Sequence, residues 1–63
     1  MNEEILRLVK EIAEDEIAIK DHEANIKRTS NTIMVELYRS YMLDLKESIQ
    51  RKMELLKLLK SNQ

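Results

Sequence analysis

Apolar residues recur every seven positions along this chain, in two ladders that do not share a phase. The first ladder is Ile5, Ile12, Ile19 and Ile26; the second is Val35, Met42, Ile49 and Leu56. Seven residues make two helical turns, so each ladder predicts a helix with one apolar edge. Ile26 and Val35 are nine apart instead of seven. Two extra residues rotate an uninterrupted stripe by roughly 200°, so one straight helix cannot hold both ladders against one neighbour. The break falls at Arg28-Thr29-Ser30-Asn31-Thr32. The pattern predicts a single domain over residues 1–63: helix one over about 2–27, a turn over about 28–31 and helix two over about 32–60.

Local chemistry agrees with those bounds. Asn2 is a capping residue, and Glu3 and Glu4 suit the positive end of a helix dipole. Lys27 and Arg28 suit the negative end. Thr29, Ser30 and Asn31 compete with helix through side-chain bonds to nearby backbone, and each of them can cap a following helix. Asn31 also tolerates the left-handed backbone that turns often need. Ser61-Asn62-Gln63 reads as a frayed polar end.

A second row accompanies each ladder. Taking the ladders as heptad position a, position d holds Leu8, Asp15, His22 and Thr29 on helix one. On helix two it holds Tyr38, Leu45, Lys52 and Leu59. A short antiparallel turn pairs residue i with a residue near about 61 − i. Ile26 then faces Val35, Ile19 faces Met42, Ile12 faces Ile49 and Ile5 faces Leu56. The same register brings His22 to Tyr38 or Arg39, Leu8 to Met53, and Asp15 to Lys46. Met53 is expected to cover the gap at Lys52 while that lysine snorkels outward. The expected fold is an all-α, coiled-coil-like antiparallel two-helix hairpin. Its seam is Ile5, Leu8, Ile12, Ile19, Ile26, Val35, Tyr38, Met42, Leu45, Ile49, Leu56 and Leu59.

Composition narrows the class further. There is no Gly, Pro, Cys or Trp; 43% of residues are hydrophobic and 37% charged. That mixture at helical spacing excludes a disordered tail and a turn-rich β fold. Without cysteine there is no disulfide and no thiolate chemistry. A chain of 63 residues buries only a small core. Dimerisation into a four-helix bundle, or a protein partner, is therefore expected. Leu6, Ile17, Tyr41, Leu43, Leu55 and Leu58 fall off the seam and are the candidate partner-binding residues. The longest apolar run is three residues and the amino terminus is acidic. Neither a membrane span nor a signal peptide is expected, and the expected location is cytoplasmic.

Charge is sorted along the chain. Residues 1–26 carry eight acids and three bases; residues 27–63 carry four acids and eight bases. Helices of opposite charge attract side by side, and each repels its own copy.

No catalytic, cofactor or metal constellation emerges. His22 is the only histidine, and positions three and four residues away hold Ala18, Ile19, Asn25 and Ile26, so no metal pair forms. Glu14-Asp15-Glu16 reads as a solvated face that pairs with helix two. No Gly-rich phosphate loop occurs, and a hairpin this small offers no deep pocket for a small-molecule substrate. Lys46, Arg51, Lys52, Lys57 and Lys60, with Tyr38 and Tyr41, raise nucleic acid as a partner. The net charge of −1 argues against it. The basic, leucine-rich end 51–60 segregates its charges poorly for a membrane-surface helix.

The length and two-helix layout resemble the plasmid RNA-binding hairpin family Rop, whose dimer is a four-helix bundle. Glu36-Leu37-Tyr38-Arg39-Ser40 resembles part of that family's second helix. The resemblance implies an RNA-contacting face on helix one. Helix one here is strongly acidic, so no functional residue is carried across and the chain is assigned to no family. The expected function is a non-enzymatic protein–protein interaction module, such as a small adaptor, inhibitor or chaperone-like regulatory subunit of a phage or mobile element. The alternatives are a small RNA- or DNA-binding regulatory dimer and a self-assembling structural coiled coil.

Overall fold

Two asparagines start the two helices in the same way. A computed structural model describes residues 2–62: helix α1 spans Glu3–Arg28 and helix α2 spans Thr32–Ser61. The Asn2 side chain accepts a hydrogen bond from the Glu4 N–H at 2.9 Å. The Asn31 side chain accepts from the N–H groups of both Ile33 (3.0 Å) and Met34 (3.2 Å). Both caps are extended, with φ −83° and ψ 113° at Asn2 and φ −84° and ψ 111° at Asn31. Each thereby satisfies backbone donors that the first helical turn leaves open.

The turn is built from three residues. Thr29 ends α1 with its N–H donating to the Asn25 carbonyl, and its own backbone is extended (φ −97°, ψ 143°). Its hydroxyl then accepts from the Asn31 N–H at 3.1 Å. No described residue has positive φ. Asn31 thus serves as a cap and not through the left-handed backbone it tolerates. This is the physical reason that the turn closes without glycine. At the far end α2 continues through Ser61, whose hydroxyl donates to the Leu58 carbonyl; Gln63 lies outside the described residues.

The hairpin is long and thin. Its principal extents are 49 × 15 × 11 Å, and its radius of gyration is 14.7 Å against about 10.6 Å for a compact domain of this length. The core is correspondingly small. Leu8 and Ile12 are the buried described residues, 4% and 8% exposed. Both sit toward the open end of the hairpin, away from the turn. Ile5, Ile19 and Ile26 are half-buried on α1. Val35, Tyr38, Met42, Leu45, Ile49, Leu56 and Leu59 are half-buried on α2.

Asp15 does not meet Lys46. It meets Ser48 at 3.1 Å and Lys52 at 2.9 Å, about half a turn and more than one and a half turns further along α2. Lys46 is exposed. Side chains lean toward the amino end of their own helix. In an antiparallel hairpin α1 side chains therefore lean to the open end and α2 side chains to the turn. Both leanings couple a residue of α1 to a later residue of α2 than backbone levels alone suggest. Lys52 is likewise drawn inward to the carboxylates and does not snorkel outward, and Met53 is 56% exposed.

Candidate interaction surfaces

The polar residues of the seam lie on one flank. Lys52 bridges Asp15 at 2.9 Å and Glu11 at 3.5 Å, and Ser48 donates to the same Asp15 oxygen as Lys52. The Asp15 side chain is 16% exposed and that of Lys52 24%. The hydrogen bond that Lys52 donates to Asp15, reinforced by the charges of Asp15 and Glu11, holds the Lys52 ammonium above its usual 10.5, although partial desolvation opposes the shift. Further toward the turn the His22 ring packs between Tyr38 (centroids 5.6 Å) and Tyr41 (5.5 Å). The contact is ring on ring, and the His22 Nδ1 is buried with no hydrogen-bond partner.

These contacts define two sides of the hairpin. Glu11, Asp15 and His22 of α1 meet Tyr41, Ser48 and Lys52 of α2, so all six border one flank. Leu6, Val9 and Ala13 lie roughly 140–160° around α1 from Glu11, across the seam from it, whereas Ile17 points directly away from α2. Leu43 and Met53 lie roughly 140° around α2 from Ser48. They occupy the opposite flank.

The six candidate partner residues therefore separate. Leu6 (54% exposed) and Leu43 (62%) are on the flank away from Ser48, and Ile17 (60%) is on the back of α1, pointing away from α2. Tyr41 (43%), Leu55 (46%) and Leu58 (61%) lie on the Ser48 side of α2. Four other large apolar residues, not among the partner-binding candidates, are exposed as well: Val9, Ile33, Leu37 and Met53. Ile33 and Leu37 precede Tyr41 by eight and four residues, a helical spacing that extends its stripe back to the turn. Ser48 was also missed, although its place four residues before Lys52 puts both on one face.

Two shallow grooves run along the Leu43 flank. One is lined by Arg39, Met42, Leu43 and Lys46; the other by Met53, Leu56, Lys57, Lys60 and Ser61. Glu14 and Glu16 are exposed, whereas Asp15 turns into the seam, so the three adjacent carboxylates diverge. Among the described residues no His, Cys, Asp and Glu converge as a metal-binding group. No described helix is long and apolar enough to cross a membrane. Of the basic residues on α2, Lys52 is committed to Asp15 and Glu11.

Fold and surface together define an antiparallel helical hairpin with apolar residues left over on both flanks. No protein family, no curated protein and no solved structure matches this chain.

Proposed function

We propose that this chain is a non-enzymatic protein–protein interaction module that works as a homodimeric four-helix bundle and offers a helical face to another protein. The observation that supports it is unused surface. A compact protein of 7.5 kDa exposes about 4,200 Å². The hairpin exposes 5150 Å². The surplus, about 900 Å², resembles the roughly 800 Å² that one partner contributes to a standard interface. Among the described residues ten large apolar side chains are exposed and a single seam buries two, so the chain gains most by covering a flank.

The two flanks divide the work. The flank with Leu6 and Val9 on α1 and Leu43 and Met53 on α2 has apolar residues on both helices and forms the dimer. The outward stripe Ile33, Leu37, Tyr41, Leu55 and Leu58 belongs to α2 alone and presents a ridge to a second protein. Such a stripe suits an apolar groove, as in helix-in-groove recognition. The setting is cytoplasmic in this reading.

Light scattering tests the dimer. The expected mass is roughly 15 kDa, with a melting temperature that rises with protein concentration. A mass of 7.5 kDa with concentration-independent melting overturns the reading.

A further inference from the structure

We infer that the second copy docks with its turn at the same end as the first, so that α1 of each copy lies along α2 of the other. The inference rests on the dimer proposed above and concerns its arrangement. Two hairpins stacked face to face have two simple twofold arrangements. A twofold axis along the hairpin keeps both turns at one end and sets α1 beside the other copy's α2. An axis across the hairpin puts the turns at opposite ends and sets α1 on α1 and α2 on α2.

The e positions of the two heptads choose between them, because they border the Leu43 flank next to the seam. On α1 these positions are Val9, Glu16 and Glu23; on α2 they are Arg39, Lys46 and Met53. All six are exposed. Among the described residues none of Glu16, Glu23, Arg39 and Lys46 joins an ion pair. With the turns together, residues of α1 meet residues of the other copy's α2 near the levels that Glu11–Lys52, Asp15–Ser48 and His22–Tyr41 set within each hairpin. The e-row residues nearest those levels are Val9 with Met53, Glu16 with Lys46 and Glu23 with Arg39, an apolar pair followed by two oppositely charged pairs. All three matches occur at one register, because both rows have a spacing of seven. Ala13, between Val9 and Ile17, lets the helices approach closely.

The opposed arrangement fails on the same residues. It sets Glu16 against Glu16 and Lys46 against Lys46, and leaves Val9 opposite Glu23. It also places the acid-rich half of one chain along the acid-rich half of the other. Like charges at an interface select against a binding mode as strongly as opposite charges select for one. With the turns together, every neighbouring pair of helices around the bundle joins an acidic helix to a basic one. The apolar open ends, with Leu6, Val9 and Met53, also come together and do not meet a turn.

Distance between the turns decides it. The chain has no cysteine, so Ser30→Cys supplies one labelling site, on an exposed turn residue. Spin labels there are expected within roughly 20 Å of each other in the dimer, about two helix diameters. A distance near the hairpin length of 49 Å, in a dimer of confirmed mass, overturns the arrangement and leaves the dimer standing. A monomeric mass overturns both. Asn62→Cys, at the other end, is expected to give the same short distance and guards against a disturbed turn. The double variant Glu16→Lys, Glu23→Lys is expected to weaken dimerisation roughly tenfold or more. In the opposed arrangement the same variant only replaces acid-on-acid with base-on-base contact. Unchanged dimerisation therefore overturns the inference.

Discussion

Asp15 and Lys52 are joined across the hairpin by a 2.9 Å bond between carboxylate and ammonium, in a layer where each helix lacks an apolar residue. Sequence placed both residues at seam positions. In the structure they answer one another, with Ser48 and Glu11 completing the group. A slip of one heptad removes the match, so this layer specifies register more than it adds stability.

The pairing makes stability depend on alkaline pH. Asp15 and Glu11 hold the Lys52 proton more tightly in the folded chain than in the unfolded one. The contribution is complete below 10.5 and is lost as pH rises through the higher folded value. The melting temperature is expected to fall more steeply above pH 10.5 in the native chain than in Lys52→Met, which carries no titrating group there. Parallel melting curves of the two proteins between pH 9 and 12, followed by circular dichroism, make the comparison. Equal slopes refute the assignment.

The turn offers a sharper measurement. Asn31 accepts from two backbone N–H groups, whereas no hydrogen bond involves the Ser30 side chain among the described residues. Asn31→Ala is expected to cost about 1 kcal/mol, a drop of roughly 4–8 °C in melting temperature. Ser30→Ala is expected to leave it within about 0.5 kcal/mol of the native chain. Equal effects at the two positions contradict the capping role.

The helix bounds and the hairpin were legible because they rest on local signals: a heptad phase break, two asparagine caps and dipole-matched charges. Contacts across the seam were less legible. Backbone levels alone place Asp15 opposite Lys46, and only the lean of side chains along both helices carries it to Ser48 and Lys52. The two flanks were hidden for a related reason. A helical wheel orders residues around one helix, but it does not say which side of a hairpin that arc occupies. Leu6 and Tyr41 looked alike as off-seam apolar residues. The contacts of Glu11, Asp15 and His22 separate them.

Packing is uneven along the seam, and truncation reads this out. Leu8 is 4% exposed, so Leu8→Ala is expected to cost about 2–5 kcal/mol in urea unfolding. Ile26→Ala, at a half-buried site near the turn, is expected to cost less. Ile19→Asp or Met42→Asp puts an unpaired charge in the middle of the seam and is expected to unfold the hairpin. Helicity and melting temperature unchanged from the native chain refute that expectation, and a larger loss at Ile26 than at Leu8 refutes the uneven core.

His22 is the seam position where the fold tolerates an unmet polar group. Its ring lies between Tyr38 and Tyr41, and its buried Nδ1 has no partner. An orphan of this kind costs about 1–3 kcal/mol in desolvation, which a ring without nitrogen avoids. Phenylalanine has nearly the same breadth and keeps the tilted ring contacts. His22→Phe is therefore expected to raise the melting temperature by roughly 4–8 °C per kcal/mol recovered. His22→Ala removes the orphan too, but it also removes the ring, and it is expected to lower the melting temperature. A gain with alanine as well as with phenylalanine means that the ring contacts contribute nothing. A loss with both means that the nitrogen is satisfied in solution.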